Sequence, residues 1–145
     1  MNIIKQKGSA TVEFAMMVPI LLILVFMVSE LGTMFYRLNA LTKSVQVASR
    51  YLSDVSLNKK ITLTKTTIKH LVCYGNTGNT GTEVLPDCIN KIPDNKLTVS
   101  AASDHVTVSA TYSADWILPN AVKGFLKLSG LPMDLTASSV MRFTQ

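Results

Sequence analysis

The stretch Lys7-Gly8-Ser9-Ala10-Thr11-Val12-Glu13-Phe14 runs without a break into Ala15-Met16-Met17-Val18-Pro19-Ile20-Leu21-Leu22-Ile23-Leu24-Val25-Phe26-Met27-Val28. A short basic leader ends in glycine, a carboxylate follows five residues later, and an apolar helix begins. Phe14–Ser29 is 16 residues without a charge, somewhat short of the ~20 that a full span of the hydrocarbon core needs. Ala10–Val12 and Leu31–Tyr36 lengthen the apolar zone and bring in Glu13 and Glu30, so the span is expected over about 14–36. A cleaved secretory signal calls for a small-x-small site after the apolar core, and Ser29-Glu30-Leu31-Gly32-Thr33 does not supply a convincing one. Nor does anything polar interrupt Ala15 to Val28, as a soluble core helix would require. These residues favour a membrane anchor. A carboxylate at the mouth of an anchor is costly without a partner, which marks Glu13 as a candidate functional residue. Glu30 is expected at the far membrane boundary. Pro19 lies inside the helix and is expected to kink it, a break that lipid-embedded helices tolerate when neighbouring groups satisfy the freed carbonyl.

The helical pattern continues past the anchor. Leu31, Met34, Leu38, Leu41, Val45, Ala48, Leu52 and Val55 recur by threes and fours, an a/d seam. Thr33, Asn39, Lys43, Gln46, Arg50 and Ser53 are expected to point away from it. One helix is therefore expected from about Ser9 to about Ser53, with its first half in the membrane and its second half amphipathic. The stripe of the second half can pack on the chain's own C-terminal part, on neighbouring subunits, or on both with different sides. Its flanking positions lack the charged pairs of a free coiled coil.

Beyond the link Ser56–Lys60, Ile61–Tyr74 is ambiguous: Thr62, Thr64, Thr66 and Thr67 favour a strand, whereas Ile68, Leu71 and Val72 favour a short helix. The helix, from about Thr64 to Tyr74, is the reading favoured, and Gly75–Gly81 reads as a flexible loop. Lys96–Ala101 and His105–Tyr112 alternate apolar and polar residues around the turn Ala102-Ser103-Asp104, a hairpin pattern. Trp116–Gly130 reads as a short helix or ordered loop, and Leu135–Phe143 alternates again as a last strand. The expected fold class is α+β: a long N-terminal transmembrane and amphipathic helix, then a small antiparallel sheet that covers a helix. The expected divisions are 1–8 as leader, 9–55 as the N-terminal helix and 61–145 as a small α+β domain outside the cytoplasm.

The chain carries a net charge of +5 over 145 residues. Residues 1–60 hold seven Lys/Arg against three acidic residues, whereas residues 61–145 hold seven against six. The excess thus flanks the apolar run, which fits anionic lipid headgroups. Clustered basic residues interleaved with aromatics, the footprint of nucleic-acid binding, are missing from the sequence. Lys5 and Lys7 ahead of the span argue for a cytoplasmic N-terminus, against which Arg37, Lys43 and Arg50 lie beyond it. Cys73 and Cys88 have no zinc spacing and no nearby His pair. Outside the cytoplasm a disulfide is the natural reading, worth on the order of 3 kcal/mol in a chain-entropy account. The alternative is two buried free thiols.

Catalytic patterns are few. His70 and His105 stand singly, without a nucleophile and acid at a recognised spacing. Ser56-Leu57-Asn58-Lys59 fits S-x-x-K, but its companion motifs S-D-N and K-T-G are missing. No G-x-S-x-G, phosphate-binding glycine loop, C-x-x-C or H-E-x-x-H occurs in the sequence. No catalytic residue, metal or cofactor is expected.

The segment Gly8-Ser9-Ala10-Thr11-Val12-Glu13-Phe14-Ala15, then Pro19-Ile20-Leu21-Leu22-Ile23-Leu24 and Glu30-Leu31-Gly32, closely resembles the N-terminal region of TadE-like proteins. These are minor pilins (pseudopilins) of bacterial tight adherence pili. The likeness covers roughly Lys7 to Ser53; the rest matches only in style. The resemblance implies a pilin-like structural subunit, not an enzyme, that takes part in pilus biogenesis and hence in adhesion and biofilm formation. It implies that prepilin peptidase cuts between Gly8 and Ser9. Glu13 then becomes the fifth residue of the mature chain and, with Phe14 beside it, serves subunit pairing through a neighbour's N-terminal amine. The implied partners are prepilin peptidase, other pilins and minor pilins, the inner-membrane assembly platform and membrane lipid, with no nucleic acid. The implied location is the bacterial inner membrane in a single pass, C-terminal domain periplasmic, with a surface pilus as the destination after assembly. The alternative is a permanently anchored periplasmic binding module whose leader is never cut.

Overall fold

A computed structural model describes residues 7–57, 64–78, 80–102, 104–117, 124, 127 and 133–143. The elements are helix α1 (Lys7–Leu57), α2 (Lys65–Tyr74), α3 (Cys88–Lys91), a 3-10 turn (Asp94–Lys96), and strands β1 (Leu97–Ala101), β2 (His105–Ala114) and β3 (Met133–Arg142). The chain divides into two compact units, one of Met1–Met34 with Trp116–Leu131, the other of Phe35–Asp115 with Pro132–Gln145. The expected α+β architecture is present: a long apolar N-terminal helix followed by a three-stranded antiparallel sheet.

Helix α1 runs for 51 residues, through Pro19 and past the expected end at Ser53 to Leu57. In the second unit its seam residues Leu41, Val45, Ala48 and Leu52 are buried, so the stripe packs on the chain's own domain. Asn39, Lys43, Gln46 and Arg50 are exposed as their positions require. Ser53 departs from expectation, for it is buried, as are Ser44 and Ser49. Each hydroxyl donates to a carbonyl of its own helix three residues back, Leu41, Gln46 and Arg50. That satisfies the buried polar group locally and allows it to sit in an apolar seam. Ser49 Oγ also lies 2.9 Å from Ser139 Oγ of β3, joining helix and sheet.

The sheet has the order β1-β2-β3. Leu97 pairs with Ala110 and Ala101 with Val106 at the ends of β1–β2. β2 and β3 pair over ten residues, from Ala114 opposite Met133 to His105 opposite Arg142. Val106, Val108, Ala110, Tyr112 and Ala114 are buried on one face of β2, with Leu135 and Ala137 of β3. The other face is lined by hydroxyls, two of which, Thr111 and Thr136, meet at 2.9 Å. This alternation is the period-2 pattern of a half-solvated antiparallel sheet. Tyr112 is fully buried, and its hydroxyl donates to the Pro86 carbonyl at 2.8 Å. Burial, the largest effect, pushes that phenol above its ordinary range.

Cys73 and Cys88 form a disulfide across a separation of 15 residues, with Cα atoms 5.6 Å apart and both residues fully buried. The free-thiol alternative is thereby excluded. The bridge closes the loop that leaves α2 at Gly75. This residue has φ +71 and donates its N–H to Leu71, the left-handed helix end that glycine accommodates without strain. Glu83 organises the same loop, for its carboxylate accepts the Cys88 N–H at 3.0 Å and the Tyr74 hydroxyl at 3.2 Å. Of the expected segment Trp116–Gly130, residues 118–123, 125–126 and 128–130 lie outside the described residues, as does the leader before Lys7.

Candidate functional site: the exposed N-terminal part of α1

A helix forms here because Ala, Met and Leu are strong helix formers, and an apolar surrounding would remove the competition of water for the backbone. Most of its apolar side chains have little cover among the described residues. Val12, Phe14, Met16, Met17, Ile20, Leu21, Leu22, Leu24, Val25 and Val28 are all exposed, Phe14 by 67%. None of the most apolar 18-residue window is buried. Full burial of one such side chain is worth about 1.5–3 kcal/mol, so these ten between Val12 and Val28 specify an apolar surrounding, lipid or protein. By length and composition the helix can cross a membrane and is a candidate anchor.

Gly8 and Glu13, two of the residues singled out in the sequence, lie on this surface. Both are exposed in α1, and Phe14 is next to Glu13. A Cβ placed on Gly8 meets nothing within 4 Å. Glycine costs a helix about 0.8–1.0 kcal/mol relative to alanine, and no contact among the described residues calls for it there. Ser9 lies in the helix next to Gly8.

Glu30 differs from Glu13. Its side chain is buried, only 6% exposed, and both carboxylate oxygens accept the Ile117 N–H, at 2.9 and 3.2 Å. Thr33 Oγ donates to the Glu30 carbonyl at 2.8 Å. This contact joins residues 87 positions apart within the first unit, and no motif in the sequence foretells it, because the partner is a backbone amide. In the second unit Arg37 donates to the Asp115 carbonyl at 3.0 Å.

The residues weighed for catalysis are not brought together. His70 makes an edge contact with Tyr74, ring centroids 6.0 Å apart. His105 Nδ1 lies 2.6 Å from Asp104 on the exposed hairpin. Lys59 of the S-x-x-K match lies outside the described residues. Among the described residues no group of three or more His, Cys, Asp or Glu side chains converges as a metal site would require. Two grooves flank the outer face of α1 in the second unit, one lined by Tyr36, Asn39, Lys43, Val47 and Val84, the other by Lys43, Gln46, Arg50 and Met141. Neither contains an acid–base pair.

No curated protein and no solved structure matches the chain. The exposed helix itself does have a match: residues 8–50 fit the family model described as TadE-like protein, the family that the segment from Gly8 to Gly32 resembles.

Proposed function

We propose that the protein is a minor pilin-like subunit, a pseudopilin, in the biogenesis of tight adherence pili, and so serves adhesion and biofilm formation. The observation that carries this reading is the uncovered apolar helix, with its family match over residues 8–50. Such a surface is stable in lipid before assembly and against other apolar helices after it. Prepilin peptidase removes Met1–Gly8, and a side-chain-free residue before the cut suits close approach to a protease. Cleavage leaves a positive amine on Ser9. Glu13, the fifth mature residue, takes a neighbouring subunit's amine as its partner, because a carboxylate in a low-dielectric setting needs an opposite charge. Phe14 packs beside that pair, Pro19 loosens the helix, and Glu30 marks the boundary at which the chain leaves the membrane. Lys5 and Lys7 hold the N-terminus in the cytoplasm, leaving the disulfide-bonded part in the periplasm, where such bonds persist. The partners are the peptidase, other pilins and minor pilins, the assembly platform and lipid. The role is structural, with no reaction catalysed.

The mass of the mature chain tests this. A chain that begins at Ser9 is expected. One that retains Met1 in cells with active peptidase would be the permanently anchored binding module instead. A start beyond residue 30 would be that of an ordinary secreted protein.

A further inference from the structure

Strand β3 is an open edge. It pairs with β2 over ten residues without a slip, and among the described residues no strand lies on its other side. Phe143, one residue past β3, donates its N–H to the Asp104 carbonyl at 2.9 Å. Antiparallel ladders alternate, so the odd-numbered residues of β3 bond to β2, while the N–H and C=O groups of Asp134, Thr136, Ser138, Val140 and Arg142 face outward. Natural sheets guard such edges by shortness, proline, lysine or a bulge. β3 is ten residues long, lacks Pro and Lys, and keeps an unbroken register. Val140 on it is 60% exposed.

The charges on this edge are symmetric. Asp134 and Arg142 lie at equal distances before and after Ser138, on the same face and with opposite signs. Arg142 has no acidic partner within 4.0 Å among the described residues. Asp134 accepts from Lys96 and Ser113, yet its side chain remains 37% exposed and open to a second cation.

We propose that β3 is a self-association edge: two copies of this chain pair their β3 strands antiparallel about a two-fold axis at Ser138. The pairing sets Asp134 opposite Arg142 of the second copy at both ends, and Thr136 opposite Val140. Every outward-facing residue then meets an outward-facing residue, so the edge groups that have no backbone partner among the described residues find one. On the other face Leu135 falls opposite Met141 and extends the apolar layer. The two three-stranded sheets become one of six strands. Moving the axis by one residue keeps the hydrogen-bond parity but sets Asp134 opposite Val140, leaving both charges uncompensated. The charge pattern therefore selects a single register. This inference does not depend on the pilin reading, for it holds whether the chain begins at Met1 or Ser9.

The test uses the full chain in detergent micelles. Hydrogen-bonded antiparallel pairs have Cα atoms ~5.5 Å apart, within the range a disulfide bridges, and both native cysteines are already joined. Mild oxidation of Ser138→Cys is expected to give a disulfide-linked dimer at least about tenfold faster than Ser100→Cys, on the exposed face of β1, because pairing raises the effective concentration of the two thiols. Arg142→Asp added to Ser138→Cys is expected to slow the cross-link, and Arg142→Lys to preserve it. Both replace an exposed side chain and leave the fold intact. Equal cross-linking at positions 138 and 100, as contact through the anchor helices alone would give, overturns the proposal, as does an Arg142→Asp variant that cross-links at the original rate.

Discussion

Among the described residues Glu30 is the one buried carboxylate, and the partner its oxygens have is an amide. A buried carboxylate without hydrogen bonds costs far more than one with them, and bonds to an ionised group are stronger than neutral ones. Glu30→Gln keeps the shape and one acceptor oxygen, so the Ile117 amide should stay protected from hydrogen exchange. Glu30→Leu removes the acceptor, and the contact should weaken by about 1–3 kcal/mol, read as faster exchange at Ile117. Asp134 supplies a prediction in pH. The hydrogen bond from Lys96, then that from Ser113, holds its carboxyl below the usual range. A group with a lowered folded pKa contributes stability that is complete above its unfolded value, about 3.9, and is lost as pH falls through the folded value. Melting temperature should therefore drop on acidification below about pH 4, and Asp134→Asn should remove part of that drop. Lys91 has the opposite sign. Its hydrogen bond with Asp115 raises its pKa, so its contribution persists below about 10.5 and fades only as pH climbs through the higher folded value. Neither the Ile117 contact nor the buried serines can be read from the sequence. Glu30 finds a backbone group 87 residues away, and Ser44, Ser49 and Ser53 conceal their polarity by bonding to their own helix.

At the scale of elements, period was a guide in the long helix and the strands, where one face is buried over many residues; in the ten-residue α2 four threonines over 62–67 competed with it. The a/d seam located Leu41, Val45, Ala48 and Leu52 because a helix with one covered side must repeat its apolar residues every three to four positions. The strands were readable for the same reason with a period of two, and the observed β2 extends the expected one by two residues to Ala114. α3 and the 3-10 turn carry too few residues to show any period. α3 is held by the bridge and the Glu83 contact at Cys88, the turn by the Lys96 N–H to the Pro93 carbonyl and the Lys69–Asp94 ion pair. Truncating the seam should therefore cost as a core does. Leu41→Ala and Leu52→Ala are each expected to destabilise the second unit by about 2–5 kcal/mol, measured by denaturant unfolding, whereas Gln46→Ala on the exposed side should change little. Cys73→Ser opens the loop between α2 and α3 and leaves Cys88 a buried thiol. A loss of about 2–5 kcal/mol is expected for a small domain of this kind, and an unchanged melting curve would mean that the bridge contributes nothing.

Over the whole molecule a single helix supplies the apolar surface of one unit and the core stripe of the other. That division of labour was visible in the sequence as a change from all-round to one-sided hydrophobicity near Leu31–Leu41, because cover on every side and cover on one side demand different patterns. The purpose of the uncovered half was not visible as physics. An exposed apolar helix states only that something apolar must surround it, and the match over residues 8–50 is what directs the reading to pilus assembly. Two substitutions separate the steps of that reading. A Cβ on Gly8 meets nothing within 4 Å among the described residues, so Gly8→Leu should leave folding and insertion unchanged and block removal of Met1–Gly8, seen as a heavier chain in the membrane fraction. Glu13 is likewise exposed, and Glu13→Ala should insert and be cut normally, since neither step requires its charge. The loss should appear only when subunits associate, where the amine of Ser9 in one chain has no carboxylate to meet in the next and an unpaired charge in a low-dielectric interior is costly. Membrane fractions should then contain mature protein while sheared pili and surface adhesion fall. If the Glu13→Ala strain pilates and adheres like the parent, the carboxylate has no pairing role, whatever becomes of the cut at Gly8.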